Sequence, residues 1–532
     1  MKKEQLFKAA GIITVASILS KVLGFFRETA LAGVFGATTA TDAYLVATII
    51  PWMLFSVVGT ALSTTLIPVF TQRVHDEGEE AGQRFINTLV NFILLFCLVM
   101  VIVGAFGAPW IVKIVARGFQ GEAVNLTITL TRLLLPMMVF LALTAVLTGY
   151  LQAEERFTWP ALVGIPFNVI MILAIIISGK SFGIIGVAVG SVLATASQIL
   201  IMLPGLKRAK YRYRLVIDWK DPGFHQVGKL IVPILLATGA GQIGLIVDRM
   251  LASGLAEGSI SALNFGARLT QLPLGIFVMA VTTVLYPTFS QLAADNNMHG
   301  LRRAMVAGVR ASIFLTIPMA VGLIVLRDPI VRVLFERGAF DPQATEMTAY
   351  AVFFFSLGLL PMALREVISR VYFAMQDTFT PMMLGIAAVA VNIILNFILV
   401  GPLAHGGLAL ATSIASLVAV IILFAVLRRR VGGLGGLEMW DSFWRVSLAS
   451  AVMGGGVVAL WRLLTGLYPA PGFFLEAGLL TVAICAGVVI YTVASYLLGL
   501  PELKVGFDYV SKAIKHLFKR QKKVAGEKWG QA

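Results

Sequence analysis

Charge is scarce in this sequence. Of its 532 residues only 13% are Asp, Glu, Lys or Arg, about half of the roughly 25% found in an ordinary soluble domain. Cysteine is scarcer still. Cys97 and Cys485 are the only two, each inside an apolar run and far apart in the chain. They offer neither a disulfide framework nor a metal site, and read as buried packing. Five histidines are scattered, and no paired-carboxylate hydrolase site stands out. The glycine cluster Gly432-Gly433-Leu434-Gly435-Gly436 lacks the lysine with which a nucleotide loop cradles phosphate. Covalent catalysis and nucleotide binding are therefore not indicated.

Apolar sequence fills the chain instead. It is 58% hydrophobic, with a mean hydropathy of +0.90, and its 51 glycines suit closely packed membrane helices. The apolar runs are continuous rather than alternating, which excludes a β-barrel and predicts an all-α integral membrane protein. A crossing needs about 20 mainly apolar residues. Fourteen such segments are present, at 9–34, 43–71, 86–107, 126–151, 159–178, 183–204, 228–253, 263–291, 304–325, 347–374, 381–400, 407–427, 442–464 and 473–498. An even number puts both termini on one side, and Lys2, Lys3 and the basic tail mark it as cytoplasmic. Lys21 and Arg27 interrupt the first run and no small-residue cleavage site ends it, so that segment is read as retained rather than as a secretory leader.

The net charge of +15 is concentrated in Lys207 to Lys220, Arg428-Arg429-Arg430 and Lys504 to Lys528. These clusters fall in cytoplasmic loops, where they orient the chain and meet anionic lipid headgroups; nucleic acid is not expected as a partner. The external loops Gly36 to Asp42 and Gly254 to Ala262 carry no Lys or Arg. The loop with Arg327, Arg332 and Arg337 breaks that trend, and with Asp328, Glu336 and Asp341 balancing it, a short interfacial helix is expected there.

The sequence is internally duplicated. Thr64-Thr65-Leu66-Ile67-Pro68-Val69-Phe70-Thr71-Gln72 returns as Thr282-Thr283-Val284-Leu285-Tyr286-Pro287-Thr288-Phe289-Ser290-Gln291, and Phe157-Thr158-Trp159-Pro160 with Asn168 returns as Phe379-Thr380-Pro381 with Asn392. Six crossings per repeat give both halves one orientation, with a pseudo-twofold axis along the membrane normal. The expected organisation is an N-lobe at 1–205, a basic cytoplasmic linker at 206–227, a C-lobe at 228–428, two additional helices at 429–499 and a basic tail at 500–532. Two parallel six-helix lobes suit an alternating-access carrier, and one chain supplies both sides of the pathway, so a monomer is expected. In the tail, Phe507 to Lys519 has helical apolar spacing flanked by lysines and reads as an amphipathic helix on the inner leaflet.

Charges inside the crossings carry the functional signal. A charge near the bilayer centre costs roughly 2.5–3.5 kcal/mol even on lenient scales, so it usually faces a cavity or a partner. Arg27 and Arg268 lie one in each half, and a guanidinium forks onto phosphate without losing its charge. Together they read as a grip for an anionic substrate. Lys21 and Glu28 are seven residues apart and share nearly one face of the first helix, with Gly24 as a point of bending; Arg27 has pairing with Glu28 or Asp42 as its structural alternative. Asp42 is placed either to cap the second helix or to act in the site. Asp248 with Arg249, Asn392 and Asn396 on one face, and Thr412 at comparable depth offer hard oxygens suited to Na⁺, against interhelical hydrogen bonding and an Asp248–Arg249 pair. A proton on Asp248 or the membrane potential are competing energy sources.

The run Ser20 to Arg27, then Phe35-Gly36-Ala37, Thr41-Asp42-Ala43-Tyr44-Leu45-Val46-Ala47 and Pro51 resembles the N-terminal signature of the MurJ/MviN family, within the MOP exporter superfamily. So do Asn264-Phe265-Gly266-Ala267-Arg268-Leu269 with Leu272-Pro273-Leu274-Gly275, and Arg370-Val371-Tyr372-Phe373-Ala374 with Asp377-Thr378 and Thr380-Pro381. The resemblance spans essentially all fourteen crossings. It implies a lipid II flippase of the bacterial plasma membrane, with cavity arginines at Arg27 and Arg268 and an essential aspartate at Asp42. A basic pair common in the family's second helix is replaced by Phe55 and Ser56, so Arg365 or Arg370 is the expected compensation; Arg370 has snorkelling beside Asp377 as its alternative. Export of another polyprenyl-diphosphate glycan stays open, as does multidrug/cation antiport, although that favours acidic rather than basic cavities.

Overall fold

Continuous apolar runs leave each backbone amide no partner but its own helix, and the described residues form seventeen helices. The computed structural model describes residues 3–433, 435–469 and 472–503, so the tail segment Phe507 to Lys519 lies outside the described residues. The helices are α1 (Lys3–Phe35), α2 (Thr39–Glu77), α3 (Glu79–Val115), α4 (Glu122–Leu134), α5 (Met137–Ala153), α6 (Thr158–Leu162), α7 (Gly164–Ser181), α8 (Gly183–Arg208), α9 (Pro222–Ala252), α10 (Ser259–Ala294), α11 (Met298–Val325), α12 (Arg327–Phe335), α13 (Pro342–Leu357), α14 (Leu359–Ala374), α15 (Phe379–Val431), α16 (Gly436–Leu467) and α17 (Phe473–Leu497). Among the described residues there is no strand.

Eight helical stretches, or nine counting the bent pair α13–α14, are long and apolar enough to cross a membrane by the described residues alone. One of them, α15, has 53 residues; at about 1.5 Å per residue that is more than twice a hydrocarbon core of roughly 30 Å. Ala404, with φ 47 and ψ −132, breaks it into two. With α1, α2, α9 and α10, of 33, 39, 31 and 36 residues, the element order accommodates the fourteen expected crossings. The short helix expected around Arg327 is α12, nine residues long.

Two compact units emerge, and they are not drawn where the duplication is. The first comprises Met1–Arg268, Leu334–Ala351 and Val389–Ala411; the second comprises Leu269–Val333, Val352–Ala388 and Thr412–Ala532. The first unit thus takes in α9, the head of α10 and the first half of α15, because α9 packs against α2 and α3. Its core is built on Leu66, Phe70, Phe85, Leu147 and Tyr150, and on Leu31, Tyr44, Leu134 and Met171. The core of the second unit is built on Phe289, Met305, Tyr372, Leu427 and Met453. A repeated device shows the duplication inside each: the buried Tyr150 hydroxyl donates to Ala209 O at 3.2 Å, and the buried Tyr372 hydroxyl to Leu423 O at 3.0 Å.

The basic linker is not free chain. From Tyr211 to Val216 it has no helical structure and runs along α3. Asn87 Nδ2 donates to Arg212 O at 2.9 Å, and Asn91 Nδ2 to Arg214 O and Val216 O, both at 2.9 Å. In return the Tyr211 and Tyr213 hydroxyls donate to Asn87 Oδ1 and Asn91 Oδ1 at 2.9 and 2.7 Å. Two buried amides therefore satisfy a segment with no ladder of its own. Asn91→Ala is expected to cost about 1–3 kcal/mol, the penalty for stranding such groups, and to speed tryptic cleavage after Arg212 and Arg214 severalfold in the folded protein. An unchanged cleavage rate would show that the strap is held by other means.

Candidate functional site

The arginines singled out in the sequence meet at one carboxylate in the first unit. Arg27 Nη2 donates to Glu28 Oε1 at 2.6 Å, and Arg268 Nε stands 3.6 Å from the same oxygen. Asn264, four residues before Arg268 and so on the same face of α10, reaches Glu28 Oε2 with its Nδ2 at 3.4 Å. Arg27 is fixed further by Asn168, whose Oδ1 accepts from Nη1 at 3.3 Å, and by the Phe167 ring 5.5 Å from its guanidinium carbon. Asn168 is itself oriented, because its Nδ2 donates to Gly164 O at 2.7 Å and Ser20 O at 3.2 Å. Small residues permit this approach of α1 to α7: a Cβ on Gly164 would sit 2.1 Å from Ser20 Oγ.

The three charges differ in access. Side-chain exposure is 8% for Glu28, 21% for Arg27 and 50% for Arg268. Glu28 is thus the buried pivot, Arg27 its sequestered partner and Arg268 the open one. Pairing of Arg27 with Glu28, the structural alternative, is what the structure contains. Yet one carboxylate cannot neutralise two guanidiniums, and the cluster keeps a net positive charge with Arg268 half exposed. Lys21 is exposed on α1, two turns before Glu28.

Asp42 does not cap its own helix, the first of its two expected roles: Thr38 caps α2, accepting from Thr41 N. Asp42 instead accepts from Gly258 N at 2.9 Å, Ser261 N at 2.8 Å and Ser261 Oγ at 2.5 Å, and is only 3% exposed. Its carboxylate is consumed at the head of α10, where the helix dipole and free N–H groups favour an anion. Gly258 can turn there because its φ of +83 suits glycine, and a Cβ would lie 2.4 Å from Ala37 O.

The expected basic replacements lie in the second unit. Arg365 is exposed, with Nη2 3.2 Å from where a Cβ on Gly385 would stand. Arg370 pairs with Glu366 at 2.8 Å and lies over Tyr286 at 5.8 Å, rather than beside Asp377. Asp377 is taken by Arg430 and Thr380; partial burial opposes its charge, but the Thr380 and Arg430 hydrogen bonds hold its carboxyl below the usual range. Phe55 packs edge-on against Trp52 at 6.0 Å, and the Ser56 side chain lies outside the described residues. Of the basic residues in and beside α12, Arg327 pairs with Asp328 at 3.5 Å, Arg332 with Glu476 at 3.1 Å, and Arg337 donates to Leu334 O.

A second polar cluster joins α9 to α15 within the first unit. Asn396 Nδ2 donates to Asp248 Oδ1 at 2.5 Å and to Asn392 Oδ1 at 3.2 Å. Asn396 is fully buried, and among the described residues its Oδ1 has no hydrogen-bond partner, a rare condition for a buried acceptor. Arg249 turns to Ile260 O at 3.3 Å, and among the described residues it forms no ion pair with Asp248. Thr412 belongs to the other unit. Sequence reasoning did not assign Asn264 or Ser261; Asn264 was legible only as the residue one turn before Arg268.

The duplication ties the two clusters together. Arg27 and Asp248 are 221 residues apart, Glu28 and Arg249 likewise, and Asn168 and Asn392 are 224 apart. These offsets match the roughly 220 of the repeat. At equivalent positions the first half holds Arg-Glu with Asn168 on Arg27, and the second holds Asp-Arg, where Asn396, bonded in turn to Asn392, reaches Asp248. The charge order is reversed.

An all-helical, multi-span membrane protein with charge clusters at equivalent places in its sequence repeat is the class that the fold and the site define. Solved structures agree: an inward-facing multidrug MATE transporter of the MOP superfamily matches with TM-score 0.67 at 15% identity, covering 78% of this chain and 94% of that one, a likeness of fold alone. A lipid II flippase MurJ in an inward closed conformation matches with TM-score 0.78 at 27% identity, covering 91% and 98%. The family profile described as lipid II flippase MurJ matches residues 31–480, and the chain belongs to that family. The Burkholderia cenocepacia lipid II flippase MurJ is 30% identical over 439 residues, 80% of this chain and 84% of that protein. A probable lipid II flippase MurJ of Vibrio cholerae is 32% identical over 522 residues, 95% and 99%.

Asp42→Ala is expected to destabilise the folded protein by about 1–2 kcal/mol, the usual loss for a helix cap, with Asp42→Asn losing less because its amide oxygen still accepts. Thermal unfolding in detergent measures both. Equal melting temperatures for wild type and Asp42→Ala would remove the capping role.

Proposed function

We propose that the chain is a lipid II flippase that carries the polyprenyl-diphosphate glycopeptide from the inner to the outer leaflet of the bacterial plasma membrane. The observation that carries this reading is the convergence of Arg27 and Arg268 on Glu28. The headgroup of such a lipid cannot pass through hydrocarbon, while its tail needs no carriage, so the carrier must supply a cationic, wet site. The diphosphate displaces Glu28 from Arg268 first, since that guanidinium is half exposed, and then competes for Arg27. When the carrier is empty, Glu28 holds both guanidiniums, which lowers the cost of unpaired charge during the return step. Lys21 adds positive charge to the headgroup's path, and Asp42 acts by holding the head of α10 through Ser261, three residues before Asn264. No bond is made or broken.

The same reading places both termini in the cytoplasm, puts the basic clusters against anionic lipids, needs no nucleic acid, and has one chain act as a monomer. Asp248, Asn392 and Asn396 serve as the coupling site for Na⁺. The unpaired Asn396 Oδ1 beside an amide-held carboxylate supports a small cation there; Na⁺ would draw on hard oxygens alone. A proton on Asp248 is the rival.

Arg27→Ala and Arg268→Ala are each expected to weaken substrate binding roughly 10- to 100-fold, the worth of a charge-assisted hydrogen bond of about 1.5–3 kcal/mol, and to fail to support growth of flippase-depleted bacteria. Growth restored by the variants as well as by wild type would refute the grip. For coupling, transport in proteoliposomes is expected to fall severalfold without sodium and in Asp248→Ala. Sodium-independent transport that still requires Asp248 would assign a proton instead.

A further inference from the structure

A groove in the second unit shares no residue with either polar cluster. It is about 1020 Å³, between α11, α14, the last turns of α15 and the head of α16. Its walls are apolar, with Ile313, Leu364, Ile421 and Phe424 among them, and at one end stand Arg302 and Arg428. Among the described residues neither guanidinium donates to a protein acceptor. The loop 432–436 makes room for Arg302: a Cβ on Gly433 would lie 3.7 Å from its Nη1, and one on Gly435 3.8 Å from its Nη2, while both glycines hold positive φ. At the same end Trp440 is 65% exposed and stacks on Phe443 at 5.6 Å, as tryptophans do at headgroup level.

Apolar walls ending in two free guanidiniums and an interfacial tryptophan describe a site for an amphiphile with an anionic head. Glu438 also lines the groove, so the three charged groups sum to a single positive charge. That matches one phosphodiester better than the two or more charges of a diphosphate. The chain's own basic tail, Lys504 to Lys528, would be repelled. We infer that this groove binds a resident anionic phospholipid of the phosphatidylglycerol type, its phosphodiester on Arg302 and Arg428 and an acyl chain along Ile421 and Phe424. Basic pockets between membrane helices recognise lipid headgroups in this way. The site lies outside the substrate grip, so it fastens lipid to the end of the α11–α16 pair rather than moving it.

Native mass spectrometry of the full chain in neutral detergent, titrated with phosphatidylglycerol or phosphatidylcholine, tests this. Wild type is expected to retain one phosphatidylglycerol in preference. Arg302→Gln and Arg428→Gln should each weaken it about fivefold and the pair roughly 25-fold, at about 1 kcal/mol per basic residue, with phosphatidylcholine unaffected. Ile421→Trp, on the exposed lip, keeps both charges and should exclude either lipid from the groove, which covers the case of an unstable arginine variant. Wild-type preference in all of these, or equal loss in Arg429→Gln outside the groove, would overturn the site. So would displacement of the lipid by a polyprenyl diphosphate whose own binding fails in the same variants, which would make the groove part of the substrate path.

Discussion

One buried carboxylate, Glu28, holds together the charge cluster of the first unit. It lies on α1, with Arg27 at 2.6 Å and Arg268 of α10 at 3.6 Å. Removing either cation would leave a costly charge, and removing the carboxylate would leave two like charges in a poorly solvated place. The surrounding amides follow from this constraint: Asn168 is aimed by two carbonyls at Arg27, and Asn264 reaches Glu28 from the turn before Arg268. Asp42 then fixes the head of the helix that delivers both Asn264 and Arg268. Local helix capping and the geometry of the charge cluster are thus one mechanical problem.

The duplication explains why there are two such clusters with opposite polarity. Each half places a charged pair and an asparagine at equivalent positions of the repeat, though in the second half it is Asn396, bonded to Asn392, that reaches Asp248. The order is reversed, Arg27-Glu28 against Asp248-Arg249, so the first cluster centres on a guanidinium held by an asparagine and the second on a carboxylate held by one.

Much of this was legible in the sequence, for identifiable reasons. Crossings are set by runs of about 20 apolar residues, so the helices of the fold and the break that makes two spans of α15 agree with composition and length. Arg27, Arg268, Asp248 and the asparagines announced themselves because polar groups in such runs must find partners. What sequence could not supply was the choice of partner. Asp42 begins a helix and looked like its cap, yet it caps α10 across 216 residues of sequence; Arg370 looked like a neighbour of Asp377, but Glu366 is one helical turn away and Arg430 arrives from the far end of α15. The linker's positive charge was plain, whereas its attachment to Asn87 and Asn91 depends on tertiary contacts that no local pattern encodes.

The measurement closest to the heart of the matter is the affinity of Glu28→Gln for detergent-solubilised lipid II, taken together with its transport rate. If Glu28 is the counter-ion that the diphosphate displaces, the neutral amide removes a competitor: binding should tighten roughly tenfold, in line with one charge-assisted bond, while release and turnover slow. Binding that weakens on this substitution would contradict that role and make Glu28 a brace for Arg27 alone.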